Sequence, residues 1–283
     1  MTSASATSLL RGIKVVNLGL NTPGPMAAAR LTQLGAEVTK VEPPSGDPLK
    51  NVARPWYNQL CHGQTVLTLD LKDATGQRKL HDLLSDSDLL LASFRPSALV
   101  RLGLDWENIH RRHPRLCFVG IVGYLPPHEE RSGHDLTYQC SLGLLTPPQM
   151  PASLYVDLAG AERCVSQALA LLLKLARSGE SGSAWVSLYD CAVDLTGPIQ
   201  AGLTTHGGLL GGGYPLYGFY QASDGWIAIA ALEPQFAKRL ISELNIAGAD
   251  RSELERIFLQ RSAVAWEAWA AERDLPLVAV RSG

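Results

Sequence analysis

Short apolar segments alternate with helical segments through the first half of the chain, and this alternation limits the possible folds more than any other feature. The predicted strands are Ile13–Leu18, Ala36–Val41, Val66–Leu71, Asp88–Ala92 and Leu116–Gly123. The predicted helices between them are Gly24–Leu34, Gln77–Leu84 and Ser97–Arg111. Strands that alternate with helices in this way form a parallel sheet covered on both faces. We therefore expect an α/β fold that binds its ligand beyond the carboxyl ends of the strands.

The second half of the sequence predicts a change of architecture. Leu158–Ala176 has apolar residues at three- and four-residue steps, which is typical of an amphipathic helix, and the strand Ala184–Tyr189 follows it. The glycine-rich segment Thr204–Gly213 predicts a linker or a mobile loop. A hairpin, two helices and a last strand are predicted after it, at Tyr217–Tyr220, Trp226–Ala231, Gln235–Leu244, Ser262–Glu272 and Leu275–Val280. We expect a large α/β domain at residues 1–203 and a small α+β domain at residues 204–283.

The composition excludes several classes of protein. The net charge of the 283-residue chain is −2 at pH 7, so no broad basic surface is available for nucleic acid or an anionic membrane. No apolar run approaches the roughly 18 residues that span a bilayer, and residues 1–10 lack the pattern of a signal peptide. The five cysteines form no CxxC pair, and the histidines lack metal-binding spacing. We expect a reduced, cytoplasmic protein without a metal.

Three cations follow predicted strands at the edge of the sheet where ligands bind. Arg95 comes directly after the strand Asp88–Ala92, Arg101 lies in the next helix, and Lys72 follows Val66–Leu71. Each cation alone is typical of a solvated surface charge. Three cations together would suit a ligand that carries several phosphates. The residues by themselves leave both interpretations open.

Three side chains are candidates for acid–base or covalent chemistry. His134 lies at a predicted helix start, and histidine titrates near neutral pH, although an ordinary polar residue is the alternative. Asp157 immediately precedes the helix Leu158–Ala176, which is the position of an N-cap. A carboxylate kept ionised at a helix start can also serve as a nucleophile or a general base. Glu233 precedes a helix of the small domain, where a first-turn acid is the simpler interpretation.

The ordered set of motifs resembles family III CoA-transferases, the CaiB/BaiF family. The matching segments are Leu10–Val16, Gly24–Pro25, Leu34–Glu42, Leu69–Lys72, Phe94–Pro96 and Arg101–Leu104. The resemblance implies a Rossmann-like large domain, a smaller domain and homodimers in which the two chains interlock. It also implies acyl-CoA thioesters as substrates, with no metal and no cofactor beyond the CoA of the substrate. The CoA-contact positions of the family fall on Leu69, Asp70, Lys72, Phe94, Arg95 and Arg101.

The resemblance also implies roles for the candidate catalytic residues. The catalytic aspartate of the family falls on Asp157, which transferases use as a nucleophile to form a mixed anhydride and then an enzyme-bound thioester. In α-methylacyl-CoA racemases, this aspartate and a histidine act as bases on opposite faces of the α-carbon. Gly133–Asp135 and Ala231–Phe236 resemble the racemase segments. His134 and Asp157 would then be the two bases, with Glu233 as the partner of the histidine. N–H groups at the helix start after Asp157 would stabilise the enolate.

Three functions remain open at this point. The racemase pattern favours the racemisation or epimerisation of a 2-methylacyl-CoA. A CoA transferase is the alternative, which needs Asp157 but not His134. A degenerate, non-catalytic CoA-binding protein is the third. It is suggested by Pro43, which stands where the family has an arginine, and by Gln64, which stands where a basic residue is common. The family pattern also predicts a further segment beyond Gly283.

Overall fold

The chain divides into two compact units, each with its own apolar core. The computed structural model describes residues 9–281, so residues 1–8, part of the segment assessed above for a signal peptide, lie outside the described part. The division follows Leu195, so residues 196–203 belong to the second unit. Among residues 9–281, no helix is long and apolar enough to cross a membrane. The same residues contain no cluster of His, Cys, Asp and Glu side chains that could hold a metal ion.

A six-stranded parallel sheet forms the centre of the first unit. Its strands are β1 (Lys14–Asn17), β2 (Glu37–Glu42), β3 (Thr65–Thr68), β4 (Leu89–Ala92), β5 (Cys117–Val122) and β6 (Ser183–Ser187). Their spatial order is β3-β2-β1-β4-β5-β6, and all neighbouring strands run parallel. This is the order of the Rossmann fold, in which a crevice opens at the carboxyl ends of β1 and β4, where the strand order reverses. The predicted α/β fold is therefore confirmed.

Helices cover both faces of this sheet. They are α1 (Pro23–Gln33), α2 (Leu49–Val52), α3 (Arg54–Leu60), α4 (Ala74–Ser85), α5 (Pro96–Leu102), α6 (Trp106–Arg112), α7 (Asp135–Ser141), α8 (Tyr155–Ser178) and α9 (Leu188–Leu195). Side chains alternate along a strand, so Val15 packs in the core on the side of α1 and α8. Its neighbour Val16 packs in the core on the side of α4, α5 and α6. Burial on both faces explains why the central strands β4 and β5 are continuous apolar runs in the sequence.

The prediction of Ser97–Arg111 as a single helix is wrong. The segment forms two helices because Gly103 adopts a left-handed conformation, with φ +66°, and ends α5. Asp105 then caps α6, and its carboxylate accepts a backbone hydrogen bond of 3.2 Å from the first turn. The predicted strand Ala184–Tyr189 is also too long, since it ends at Ser187, where α9 follows directly.

The second unit is a small α+β fold. Its elements are α10 (Gly197–Gln200), β7 (Tyr217–Gln221), β8 (Trp226–Ala230), α11 (Pro234–Leu244), α12 (Arg251–Phe258), α13 (Ala263–Ala271) and β9 (Leu277–Ala279). The strands form an antiparallel sheet in the order β7-β8-β9, and the predicted hairpin pairs Tyr217 with Ala230. The glycine-rich segment predicted as a linker contains its own backbone hydrogen bonds, including one of 2.8 Å from Gly213 to Gly208.

A pair of buried histidines joins two helices of the first unit. His81 of α4 and His113, directly after α6, stack with their ring centroids 5.2 Å apart. Nδ1 of His81 lies 2.9 Å from Nε2 of His113, at hydrogen-bond distance. Burial lowers the pKa of both histidines, and the nearby charge of Arg112 lowers both further. Burial therefore favours the neutral rings, and the hydrogen bond between them is incompatible with protonation of both, because one ring nitrogen has to accept.

The histidine pair predicts a loss of stability on acidification. Both folded-state pKa values lie below the unfolded value of about 6.5, so the unfolded chain takes up protons first as the pH falls through that value. The free energy of unfolding should therefore decline below about pH 6.5, by at most about 1.4 kcal/mol per pH unit for each histidine. Urea unfolding from about pH 7.5 to pH 5 measures this slope.

A matched pair of variants assigns the slope to these residues. His113→Gln should make the decline shallower, because it removes one of the two histidines with a lowered pKa, while His81 stays buried. His206→Gln should leave the decline unchanged, since His206 is exposed. If both variants retain the slope of the original protein, the pair does not cause it.

Candidate active site

A cleft of about 800 Å³ opens at the carboxyl end of the parallel sheet. It is lined by the loops that follow β1, β4 and β5, and by the start of α8. A further wall, termed the α2–α3 wall below, consists of Leu49, Val52, Ala53 and Trp56. His134 and Asp157 both line the cleft. The structure thus brings the two predicted bases together at the place where a Rossmann-type sheet binds ligands.

Asp157 lies in the first turn of α8 and not at the N-cap position. The helix begins at Tyr155, and Leu154 occupies the N-cap position, so the predicted cap is wrong. The Asp157 side chain is half-buried. Burial and the charge of Asp135 raise the pKa of Asp157 to about 6, while a hydrogen bond with the side chain of Thr22 lowers it. A carboxyl group with this pKa can both accept and release a proton near neutral pH.

Asp135 supplies the helix cap that the sequence analysis assigned to Asp157. It is buried at the start of α7, and its Oδ1 accepts hydrogen bonds from the backbone N–H groups of Val156 at 2.7 Å and Asp157 at 3.1 Å. Its Oδ2 accepts a hydrogen bond from Nε2 of Gln139 at 2.5 Å. Asp135 and Val156 are 21 residues apart. Signals near the helix start therefore could not identify the capping residue.

The N–H groups at the start of α8 are already satisfied within the protein. Those of Val156 and Asp157 donate to Asp135, and that of Leu158 donates to the carbonyl of Leu154 at 2.9 Å. A hydrogen-bonded N–H group in this arrangement cannot also hold an enolate oxygen without losing its protein partner. These three N–H groups are therefore not free to stabilise an enolate, and a role for the N–H groups further along α8 stays a prediction.

His134 is exposed and occupies the N-cap position of α7. Its backbone N–H donates to Oγ1 of Thr137 at 2.9 Å, and the Thr137 hydroxyl donates to the carbonyl of His134 at 2.8 Å. These two bonds fix the backbone of the histidine. Because the next residue, Asp135, caps α8, the chain that carries His134 is tied to the helix that carries Asp157.

Glu233 belongs to the second unit. It occupies the N-cap position of α11, its side chain is exposed, and it makes no capping hydrogen bond. Glu233 therefore precedes the first turn of α11, and its carboxylate makes no capping hydrogen bond with that helix. The expected partnership of Glu233 with His134 stays a prediction.

Five of the six predicted CoA-contact residues line two cavities that share Phe94. The smaller cavity, of about 120 Å³, is lined by residues that include Leu69, Asp70, Lys72 and Phe94. Phe94 also lines the larger cleft, together with Arg95. Arg101 is exposed on α5 and lines neither cavity. The structure groups most of the predicted positions at one edge of the sheet, and their contact with CoA stays a prediction.

The loop after β5 places a carboxylate beside two of the predicted cations. Glu130 accepts a hydrogen bond from the backbone N–H of Ser97 at 2.9 Å. This bond, together with the charges of Arg95 and Arg101, lowers the pKa of Glu130. Arg95 also donates from Nη2 to the hydroxyl of Ser132 at 3.0 Å. The negative charge of Glu130 therefore offsets part of the positive charge of Arg95 and Arg101.

A buried charge network behind the cleft was not predicted from the sequence. Lys40 of β2 is fully buried, and its Nζ lies 2.6 Å from Oδ2 of Asp47 and 3.5 Å from Oε1 of Glu42. The same oxygen of Glu42 accepts a hydrogen bond from the hydroxyl of Tyr57 at 2.7 Å. An ammonium ion is buried only when such partners offset its lost hydration. No sequence pattern predicted that Lys40, Asp47, Glu42 and Tyr57 contact one another, because these contacts form only in the folded chain.

The buried network holds two parts of the cleft. Oδ1 of Asp47 accepts hydrogen bonds from the N–H groups of Asn21 at 3.0 Å and Leu49 at 2.9 Å. Asn21 precedes Thr22, which is hydrogen-bonded to Asp157. Leu49 begins α2. Asp47 therefore positions both the loop next to Asp157 and the α2–α3 wall.

Comparison with known proteins assigns the family. Residues 10–282 match CoA-transferase family III, and the chain belongs to this family. The chain is 31% identical to alpha-methylacyl-CoA racemase of Homo sapiens, over 84% of this chain and 65% of that protein. It is 27% identical to succinyl-CoA–D-citramalate CoA-transferase of Chloroflexus aurantiacus, over 87% of this chain and 67% of that protein.

A solved structure has the same fold. The crystal structure of a hypothetical protein from Mycobacterium tuberculosis matches with a TM-score of 0.84 and 25% identity, over 97% of this chain and 84% of that chain. The resemblance inferred from the motifs is therefore confirmed. The chain spans about two thirds of the length of the two named relatives.

Removal of one partner from the buried network should strongly destabilise the first unit. Asp47→Asn leaves Glu42, at 3.5 Å, as the remaining carboxylate beside the buried Lys40, so the free energy of unfolding should fall by about 3 kcal/mol. Chemical denaturation measures the change. Asp86→Asn is the matched control, because Asp86 pairs with Lys14 at an exposed position and should leave stability nearly unchanged. Equally small losses in both variants would contradict the structural role of the network.

Two substitutions should move the pKa of Asp157 in opposite directions. Asp135→Asn removes a neighbouring charge but keeps an oxygen for the helix cap, so the pKa of Asp157 should fall below about 6. Thr22→Val removes a hydrogen bond that favours the ionised carboxylate, so the pKa should rise. NMR titration of isotope-labelled aspartate measures both shifts, with the Asp157 signal identified by its loss in Asp157→Asn. Shifts of the same sign would show that these neighbours are assigned wrongly.

Proposed function

We propose that this chain racemises or epimerises a 2-methylacyl-CoA thioester by moving a proton at the α-carbon. The observation that carries the proposal is that His134 and Asp157, two groups able to transfer protons, line one cleft at the carboxyl end of the sheet. The family of the chain and its similarity to the human racemase support an acyl-CoA substrate. CoA enters this reaction as part of the substrate, and the reaction as written uses no further cofactor.

The proposed chemistry is a two-base proton transfer. The thioester carbonyl makes the α C–H bond acidic, because the enolate left by proton loss places its charge on the carbonyl oxygen. One base removes the proton from one face, and the second base, already protonated, donates a proton to the opposite face. The configuration inverts and no atom is gained or lost. A histidine and a carboxyl group whose pKa is raised to about 6 can exchange these roles near neutral pH.

Several parts of the proposal come from the family resemblance. Glu233 would orient His134, and the residues around Lys72 and Arg95 would hold the CoA portion of the substrate. The active form would be a homodimer with interlocked chains. A cytoplasmic location belongs to the same set of proposals.

A CoA-transferase reaction is the second candidate, favoured by the similarity to the citramalate CoA-transferase. Asp157 would attack the thioester carbonyl, release the CoA thiolate and form a mixed anhydride. The thiolate would then attack the aspartyl carbonyl, release the first acid and leave an enzyme-bound thioester. An acceptor acid would take up the CoA by the reverse of these steps. This chemistry needs Asp157 but not His134, so the histidine distinguishes the two candidates.

Deuterium wash-in tests the proposed function directly. The protein is incubated with a 2-methylacyl-CoA in deuterated water, and mass spectrometry follows deuterium at the α-carbon. Racemase chemistry predicts wash-in that His134→Ala and Asp157→Ala each slow by at least about 100-fold, the lower end for loss of a general acid or base. His128→Ala should leave the rate unchanged, since His128 is exposed and does not line the cleft.

Other outcomes identify the other functions. Absence of wash-in, with CoA transfer to an added acid that depends on Asp157 but not on His134, identifies a CoA transferase. Trapping of a covalent adduct at Asp157 with hydroxylamine supports the same conclusion. Binding of CoA without either reaction identifies a non-catalytic CoA-binding protein and contradicts the proposal.

A further inference from the structure

The α2–α3 wall is an apolar surface, exposed mainly at Val52, that lines the same cleft as the candidate catalytic residues. We infer that this wall binds the acyl group of the substrate and selects apolar acyl groups over anionic ones. The inference rests on the proposed acyl-CoA substrate. It does not depend on whether the reaction is racemisation or CoA transfer, because both reactions bring the acyl group to Asp157.

The four residues of the wall line one cleft although they lie on two helices. Leu49 and Val52 lie on α2, Trp56 lies on α3, and Ala53 lies between the two helices. The backbone bends at Ala53, with φ −147° and ψ 60°, where α2 ends and α3 begins. All four residues still line the same cleft. The wall therefore includes residues on both sides of the bend.

Val52 is the part of the wall that remains most open to water. Its side chain is 81% exposed, whereas Leu49 is buried against Tyr57 and Leu60. A single exposed apolar side chain is ordinary on a convex surface. This one lies in a concave site that also holds Asp157, and ligand pockets are typically apolar with a few polar groups. An alkyl chain laid on Val52 and Trp56 would remove apolar area from water, which is favourable.

The charges of the cleft argue against an anionic acyl group. Three carboxylates, Glu129, Asp135 and Asp157, line the cleft. The Arg and Lys residues among the described lining residues are Arg95 and Arg131, which lie on the loops after β4 and β5. Each already has a protein partner, a hydroxyl group for Arg95 and an aromatic ring for Arg131. A free carboxylate on the acyl group would meet like charges near Asp157.

The cations of α2 and α3 do not offset these carboxylates. Lys50 and Arg54 are absent from the described lining of the cleft. The Nζ of Lys50 lies 5.6 Å from the centre of the Tyr57 ring. The wall therefore offers apolar surface and no charge partner for a dicarboxylic acyl group.

Binding measurements test the selectivity without requiring turnover. Isothermal titration calorimetry gives dissociation constants for octanoyl-CoA, succinyl-CoA and free CoA. Octanoyl-CoA should bind at least about tenfold more tightly than succinyl-CoA. Val52→Asp should remove most of this preference and leave the affinity for free CoA unchanged. Val264→Asp is the matched control, because Val264 is 68% exposed on α13 and does not line the cleft.

The outcomes separate this inference from the proposed function. Equal affinities for octanoyl-CoA and succinyl-CoA overturn the inference, as does an effect of Val52→Asp that is equally large on free CoA. A preference for octanoyl-CoA without deuterium exchange supports the inference and contradicts only the racemase reaction. If free CoA and both thioesters fail to bind, the proposed function and the inference are both wrong.

Discussion

The buried ammonium group of Lys40 is the constraint on which the geometry of the cleft depends. Its lost hydration has to be offset, so the chain after β2 folds back to bring Asp47 within 2.6 Å. That return places the other carboxylate oxygen of Asp47 where it accepts from Asn21 and Leu49. Apolar residues of similar volume could stabilise a core equally well. The specific contribution of the ions is therefore the fixed position of two cleft walls.

The two carboxyl groups at the start of α8 have different surroundings, and this difference separates their functions. Both oxygens of Asp135 accept hydrogen bonds from the protein, so this residue acts as a structural acceptor. Asp157 has a hydrogen bond with Thr22 but is also half-buried beside a like charge, which raises its pKa to about 6. The basicity proposed for catalysis thus arises from burial and from a neighbour that the helix itself requires. Loss of the cap would change the position and the pKa of Asp157 together.

The parts of the structure that could be predicted from the sequence are those determined by local pattern. Strands such as Leu89–Ala92 are buried on both faces and read as continuous apolar runs, so the sheet was predictable. Helices α2 and α3 were missed because they are short and are held by Asp47 and Glu42. Asp157 resembles a cap because it lies beside a helix start, but the cap comes from elsewhere in the chain. Lys40 has no local signal, since burial of a lysine depends entirely on its partners. The family resemblance selected the two residues that the cleft brings together.

The fold is shared by relatives named for different reactions, so the groups around Asp157 have to determine the chemistry. A nucleophilic carboxylate needs only access to the thioester carbonyl. Two bases on opposite faces of one carbon need a fixed separation, and misplacement of either base slows proton transfer. In this chain, His134 is followed directly by the residue that caps the helix of Asp157, and its own backbone is held by Thr137. The capping bonds between Asp135 and the start of α8 hold the histidine segment against the aspartate helix, which is what the proposed two-base reaction requires of its two bases.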